Sequence, residues 1–237
     1  MYGWRKRIGL IIPSLNVTIE PEFNRLLAPG LSVHVTRTLL EEGSPENLGK
    51  MADDCVAAAK LLATAHVDII VYACTSGSLI KGVGWDREII RNIEAETGII
   101  ATTTSTAVIE AFQELGVKKV AVATPYIDEV NRIEKEFFEG HGVDVVNIEG
   151  LGFTKGEQLH AIPIGTAYSF GKKVDRPEAD CVFISCTDFR AIEEIDSLEQ
   201  DLGKPVMCSN TATFWSTLKE TGVRHVYRQY GEILRRL

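Results

Sequence analysis

Four short runs of aliphatic residues punctuate the chain: RIGLII at 7–12, VDIIVYA at 67–73, KKVAVAT at 118–124 and DCVFIS at 180–185. Their apolar positions are consecutive rather than alternating, the pattern of strands covered on both faces in a parallel sheet between helical layers. The intervening stretches have helical periodicity. LGKMADDCVAAAKLLATA at 48–65 places Ala, Leu and Val on one face and Asp and Lys opposite. STAVIEAFQELG at 105–116 opens on a Ser/Thr cap and stops at Gly116, directly before a strand, and IDEVNRIEKEFFEGHG at 127–142 ends in a glycine-containing stop. Strand and helix in alternation predict an α/β architecture.

The pattern also repeats. A shift of 112 residues lays Arg7-Ile8-Gly9-Leu10 on Lys119-Val120-Ala121-Val122, Pro13 on Pro125, Asp68 on Asp180, and Cys74-Thr75 on Cys186-Thr187. A shift of 105 lays Gly98 on Gly203 and Thr106-Ala107 on Thr211-Ala212. Landmarks recurring at matching strand ends predict two homologous, pseudo-symmetric Rossmann-like halves, each a short parallel sheet flanked by helices. The first half is expected to span 1–115 with 212–237, and the second 116–211. Open parallel sheets bind ligands beyond the carboxyl ends of their strands. The segments Pro13-Ser14-Leu15-Asn16, Cys74-Thr75-Ser76, Thr124-Pro125-Tyr126 and Cys186-Thr187-Asp188 are therefore expected to converge on one cleft between the halves.

Composition narrows the function classes. The chain has 237 residues, 45% hydrophobic and 24% charged, enough for one large or two small globular domains. A formal net charge of −8 argues against nucleic acid as a partner, although helix N-termini can still take a small anion. No apolar stretch approaches the roughly 18 residues of a membrane helix. The apolar run after the basic residues 5–7 covers only 8–12, too short for a signal-peptide core. Five cysteines without a CxxC pair read as reduced thiols, so a cytoplasmic location is expected. Five histidines without HxH or HxxxH spacing disfavour a metal site. The lack of a phosphate-loop or GxGxxG motif makes a nucleotide cofactor unexpected.

Cys74 and Cys186 carry the candidate chemistry. A thiol at a strand end before a helix can be activated by helix N-terminal amides, and two thiols flanking one carbon supply a nucleophile or base on one face and an acid on the other. Thr75, Ser76 and Thr187 offer donors to a carboxylate at the same place. Cys55, Cys181 and Cys208 read as inert core. Thr102 to Thr106 reads as helix cap and strand edge rather than site.

IPSLN (12–16), CTSGS (74–78), TTTSTAV (102–108), ATPYIDEVN (123–131), SCTDF (185–189) and TATFW (211–215) resemble the aspartate/glutamate racemase superfamily. The similarity is to its branch of maleate cis-trans isomerases and arylmalonate decarboxylases, and it covers nearly the whole chain. It implies two sandwiched Rossmann-like halves with the site between them, no metal or organic cofactor, a small carboxylate or dicarboxylate as substrate, and a homodimer or larger assembly. It further implies that Cys74 is the nucleophile that adds to the double bond and Cys186 the thiol that exchanges the proton. Asn16 and Tyr126 match carboxylate-binding residues, and Thr75, Ser76, Thr187 and the loop of Ser14 match donor loops. The decarboxylases have Gly where Cys74 stands, which favours cis-trans isomerisation by thiolate addition, rotation and elimination. The isomerases carry an Asn in a segment that is LHAIPIGTAY here (159–168), without one. Racemisation or decarboxylation at a carbon alpha to a carboxylate therefore stays open, as does, from another class, a non-catalytic carboxylate-binding protein.

Overall fold

The computed structural model describes residues 2–237. Its first part runs β1 (Lys6–Pro13), α1 (Ile19–Leu26), β2 (Leu31–Thr38), α2 (Pro45–Asp53), α3 (Cys55–Thr64), β3 (Ile69–Tyr72), α4 (Thr75–Leu79), α5 (Trp85–Thr97), β4 (Ala101–Thr103) and α6 (Thr104–Leu115). The second runs β5 (Lys119–Thr124), α7 (Asp128–Gly140), β6 (Asp144–Gly150), α8 (Gly156–His160), α9 (Thr166–Val174), β7 (Cys181–Ile184), α10 (Ile195–Leu202), β8 (Val206–Cys208), α11 (Ser209–Glu220) and α12 (Glu232–Arg235). All strand pairs are parallel, and the two sheets share one topology, β2-β1-β3-β4 and β6-β5-β7-β8.

The repeat is thus structural. β3 and β7 are related by the shift of 112, and β4 with α6 is related to β8 with α11 by the shift of 105. The matched aspartates do the same job: Asp68 accepts the Arg7 amide at 2.7 Å, and Asp180 accepts the amides of Lys118 and Lys119 at 2.9 and 2.8 Å. Each thereby ties the start of the neighbouring strand, so both central strand pairs enter their sheet in the same register.

The four runs found from periodicity are the inner strands β1, β3, β5 and β7. The edge strands β2 and β6 escaped that pattern because their middles are half-buried, and β2 (LSVHVTRT) mixes polar with apolar residues; β4 and β8, three residues each, are too short to show as a run. The single helix expected over 48–65 is two helices, with a break at Asp54. α2 lies against α4, whereas α3 packs beneath β1 and β2 against α5, and one straight helix cannot cover both.

Side-chain alternation divides the core. Ile8, Leu10, Ile12, Ile69, Val71 and Ala73 face a continuous core shared with the second sheet, while Ile11, Ile70, Tyr72 and Cys74 face a smaller cluster under α2 and α3. Edge-to-face contacts of Phe112 and Phe138 with Phe183, and of Phe23 with Phe214, fill the larger core. Gly150 lies where a Cβ would sit 2.2 Å from the Tyr126 carbonyl, so β6 passes too close to the β5 end for any side chain.

A buried carboxyl joins α1 to the second sheet's neighbourhood. Glu22 accepts from the Ala191 amide at 3.2 Å and from the Asn210 side chain at 2.5 Å. Burial nevertheless pushes it up to about 7, against the lowering by these donors. Folding therefore favours its protonated form. Its contribution is fully present below the unfolded carboxyl range and is lost as pH rises toward 7. The shift corresponds to about 3 kcal/mol. Denaturant titrations of the wild type and Glu22→Gln are expected to diverge by that order between pH 4.5 and 8, with the Gln variant gaining relative stability as pH rises.

Candidate active site

β3 ends at Tyr72, and the chain passes through Cys74 into α4. Cys74 is extended (φ −144°) and caps that helix with its sulfur, which accepts the Gly77 amide at 3.3 Å and lies 3.8 Å from the Ser76 hydroxyl. The matched position after β7 differs. Cys186 has φ +92°, a left-handed conformation that costs a non-glycine residue free energy and persists only where the surroundings impose it. Here the Cys186 amide donates to Ser209 Oγ at 3.0 Å, and the Asp188 amide turns back onto Cys186 Sγ at 3.4 Å. The next helix, α10, begins only at Ile195. The expectation that both thiols precede a helix therefore holds for Cys74 alone; a tight turn takes that place at Cys186.

Both cysteines line one cavity, as do Asn16, Thr75, Ser76, Tyr126 and Thr187. Ser14 is the exception among the expected site residues. Its hydroxyl donates to the Leu40 carbonyl at 3.3 Å and accepts the Leu40 amide at 3.0 Å, which pins the β1 end to the chain after β2. Asn16 does two structural jobs in the wall. Its Oδ1 accepts the Thr18 and Ile19 amides at 3.0 Å, opening α1, and its Nδ2 donates to Thr187 Oγ1 at 3.0 Å. Thr75 Oγ1 donates to Ser209 Oγ at 2.8 Å, so one serine hydroxyl contacts both the Thr75 side chain and the Cys186 backbone. Asp188, also in the lining, accepts the Val17 and Thr18 amides at 2.9 and 3.1 Å and faces His160 at 3.3 Å.

Apart from Leu15, in the segment expected at the cleft, sequence reasoning did not find the other wall. Leu15, Leu40, Leu48, Phe153 and Leu159 make it apolar, and among the described residues no Lys, Arg or His lines the cavity. Leu40 and Phe153 lie in loops, Leu48 in α2 and Leu159 in α8, with no motif among these four. The free volume is about 40 Å³, against the roughly 10–15 Å³ that admits one water, so the enclosure suits a compact ligand. Thr103 caps α6 through the Thr106 amide at 3.1 Å and belongs to the edge strand β4, as the Thr/Ser run suggested. All five cysteines are free and buried. Among the described residues there is no cluster of three His, Cys, Asp or Glu side chains placed to hold a metal, and no helix long and apolar enough to cross a membrane.

Burial governs the electrostatics. It pushes the Cys74 thiol up to about 11, although the Gly77 amide and the Ser76 hydroxyl act the other way. Cys186 is pushed up further, by burial first and the Asp188 carboxylate next, against the Asp188 amide and the Tyr126 hydroxyl. Asp188 is itself raised by burial, despite its amide donors and His160. The free protein thus holds both sulfurs as thiols at neutral pH, with donors already in place for a thiolate.

The arylmalonate decarboxylase family profile matches residues 8–234. The chain is 27% identical over 240 residues to the maleate isomerase of Nocardia farcinica, covering 97% of this chain and 96% of that one. It is 27% identical over 217 residues to the arylmalonate decarboxylase of Bordetella bronchiseptica, covering 91% and 90%. A cysteine-to-serine mutant of the Nocardia farcinica maleate cis-trans isomerase, solved with a covalently bound succinylcysteine intermediate, shares the fold. It superposes with a TM-score of 0.94 at 24% identity, over 98% of this chain and 99% of that one.

With its thiol pushed up to about 11, Cys74 in the ligand-free protein is expected to be alkylated by iodoacetamide at least about a hundredfold more slowly at pH 7 than an ordinary exposed thiol. The rate should climb about tenfold per pH unit toward pH 10, measured on the Cys74 peptide by mass spectrometry. Full modification within minutes at pH 7 would contradict the assigned environment.

Proposed function

The chain belongs to the arylmalonate decarboxylase family, and from that premise we propose that it is a cofactor-independent, two-cysteine cis-trans isomerase of a small maleate-like carboxylic acid. The observation that carries this is the placement of Cys74 and Cys186, at the ends of matched strands, in the lining of one buried cavity with the backbone amides of Thr75, Ser76 and Thr187. A carboxylate of the substrate sits among those donors. Cys74 loses its proton to solvent, and the Gly77 amide and Ser76 hydroxyl hold the thiolate. The sulfur adds to one alkene carbon, and the electron pair released to the neighbouring carbon takes the proton of Cys186. The former double bond is now single and rotates. Cys186 then removes that proton, the carbon–sulfur bond breaks, and the trans acid leaves with both sulfurs restored. Donors at the carboxylate stabilise the charge that develops on its oxygens during addition.

One observation favours a second chemistry on the same residues. The wall of Leu15, Leu40, Leu48, Phe153 and Leu159 offers no cation to a second carboxylate, and Asp188 adds negative charge. This suits a substrate with one carboxylate and an apolar arm, on which the two thiols exchange a proton at the alpha carbon. The segment 159–168, which holds no Asn, contributes Leu159 to that wall.

The test is incubation with maleate without added cofactor, followed by proton NMR in deuterated water. Fumarate is expected, with the Cys74→Ala variant reduced by at least about a thousandfold and Cys186→Ala by a similar factor. Deuterium exchange into an alpha-substituted arylacetate without fumarate formation would move the assignment to the second chemistry. Tight carboxylate binding without either reaction would leave a binding protein.

A further inference from the structure

The left-handed turn at Cys186 is held from behind by the first two residues of α11. The Cys186 amide donates to Ser209 Oγ at 3.0 Å, and Asn210 Nδ2 donates to the Thr187 carbonyl at 3.1 Å. These bonds fix the peptide groups that flank Cys186-Thr187, and so the part of the turn that lines the cavity. Asn210 has a second acceptor. The same Nδ2 meets Glu22 Oε2 of α1 at 2.5 Å, while Glu22 Oε1 accepts the Ala191 amide at 3.2 Å. One carboxyl thus holds the 187–191 segment at two places, once directly and once through Asn210. Both residues are buried, and Asn210 Oδ1 has no partner among the described residues. An amide turned the other way would set Oδ1 against the Thr187 carbonyl. The side chain leaves its oxygen alone and gives its nitrogen two acceptors.

This arrangement suits a carboxylate better than a carboxylic acid. A carboxylate only accepts, and both oxygens of Glu22 do so here. A neutral acid has a proton to place. On Oε1 it meets the Ala191 N–H, and on Oε2 the Asn210 N–H. Asn210 Oδ1 is the free acceptor at hand. Reaching it requires the amide to flip, and the Thr187 carbonyl then loses its donor. We propose that Glu22 and Asn210 are positioning residues for the Cys186-Thr187 turn: ionised Glu22 locks Asn210 onto the Thr187 carbonyl, and protonated Glu22 releases it. Burial pushes Glu22 up to about 7, so the two states exchange near neutral pH. The desolvation that favours the acid is set against the hydrogen bonds that favour the carboxylate. Neighbouring charges have partners of their own. Glu193 pairs with Arg25 and Arg190, Arg37 of β2 pairs with Glu20, and Asp188 takes the Val17 and Thr18 amides. Glu194 takes the Gly165 amide, and His34 of β2 bonds Ser32. The Cys208 thiol is pushed up to about 12 by burial, and α11 carries its charges, Lys219 and Glu220, at its far end.

The catalytic meaning of this assignment rests on the roles given to Cys186 and Thr187 above, but its first test needs no substrate. Amide hydrogen exchange of the intact protein is followed by NMR at pH 6 and pH 8, with each rate divided by the intrinsic rate at that pH. Protection at the Cys186 and Asp188 amides is expected to fall at least about threefold from pH 8 to pH 6 in the wild type, while amides in the middle of β5 show no fall. In Glu22→Gln, whose side chain imitates the acid, both amides are expected at the low value at either pH. Asn210→Ala cuts the link without touching the carboxyl; it should give the same low values, and it serves if the Gln variant does not fold. Wild-type protection that does not change with pH would overturn the proposal, as would a fall that persists in either variant, which would assign it to Asp188. Where maleate is isomerised, kcat is expected to carry the same step between pH 6 and 8 and the Gln variant to lack it. A step kept by the Gln variant would overturn the positioning role in catalysis. Failure to isomerise maleate would leave the exchange result standing, so the two assignments fail separately.

Discussion

The site depends on the polar pinning of the two halves at their strand ends. Asn16 reaches Thr187, Asp188 accepts the amides of Val17 and Thr18, and Ser209 contacts both Thr75 and Cys186. Asn16, Thr75, Cys186, Thr187, Asp188 and Ser209 are buried, and a buried donor or acceptor left alone costs about 1–3 kcal/mol. The halves therefore cannot slide without losing several bonds at once. This constraint brings the two cysteines to one cavity and imposes the left-handed turn at Cys186.

The same burial sets the chemistry. An enclosed, cation-free cavity raises thiols and carboxyls alike, so the protein keeps its sulfurs protonated and surrounds them with oriented donors. The asymmetry between the cysteines follows from local backbone. Cys74 begins a helix and takes its first-turn amide, whereas Cys186 sits on a strained turn and takes the amide two residues ahead. Two strand ends matched by the repeat thus give two thiols with different surroundings.

Much of this organisation was legible in the chain itself. Consecutive apolar residues marked β1, β3, β5 and β7, since both faces of those strands are covered, and the 112-residue repeat placed Cys74 opposite Cys186. Edge strands such as β2 were not legible, because half-burial lets polar residues in. The break at Asp54 was hidden because the apolar spacing runs through it, and only the packing of α2 on α4 and α3 on the sheet requires it. Ser14 carried the same motif signal as Asn16, yet its hydroxyl is held by Leu40, a partner 26 residues away.

The sequence by itself determined the two-half α/β architecture, the family, and the pairing of Cys74 with Cys186, because periodicity, repeat spacing and motif are properties of order along the chain. Only the tertiary structure decided which hydroxyls face the cavity, that its second wall is apolar, that the thiols rest protonated, and that Glu22 and Asn210 stand behind the Cys186 turn. Those depend on burial and on contacts across long separations, such as the 171 residues between Asn16 and Thr187. Desolvation acts on a group according to everything packed around it, whatever its neighbours in sequence.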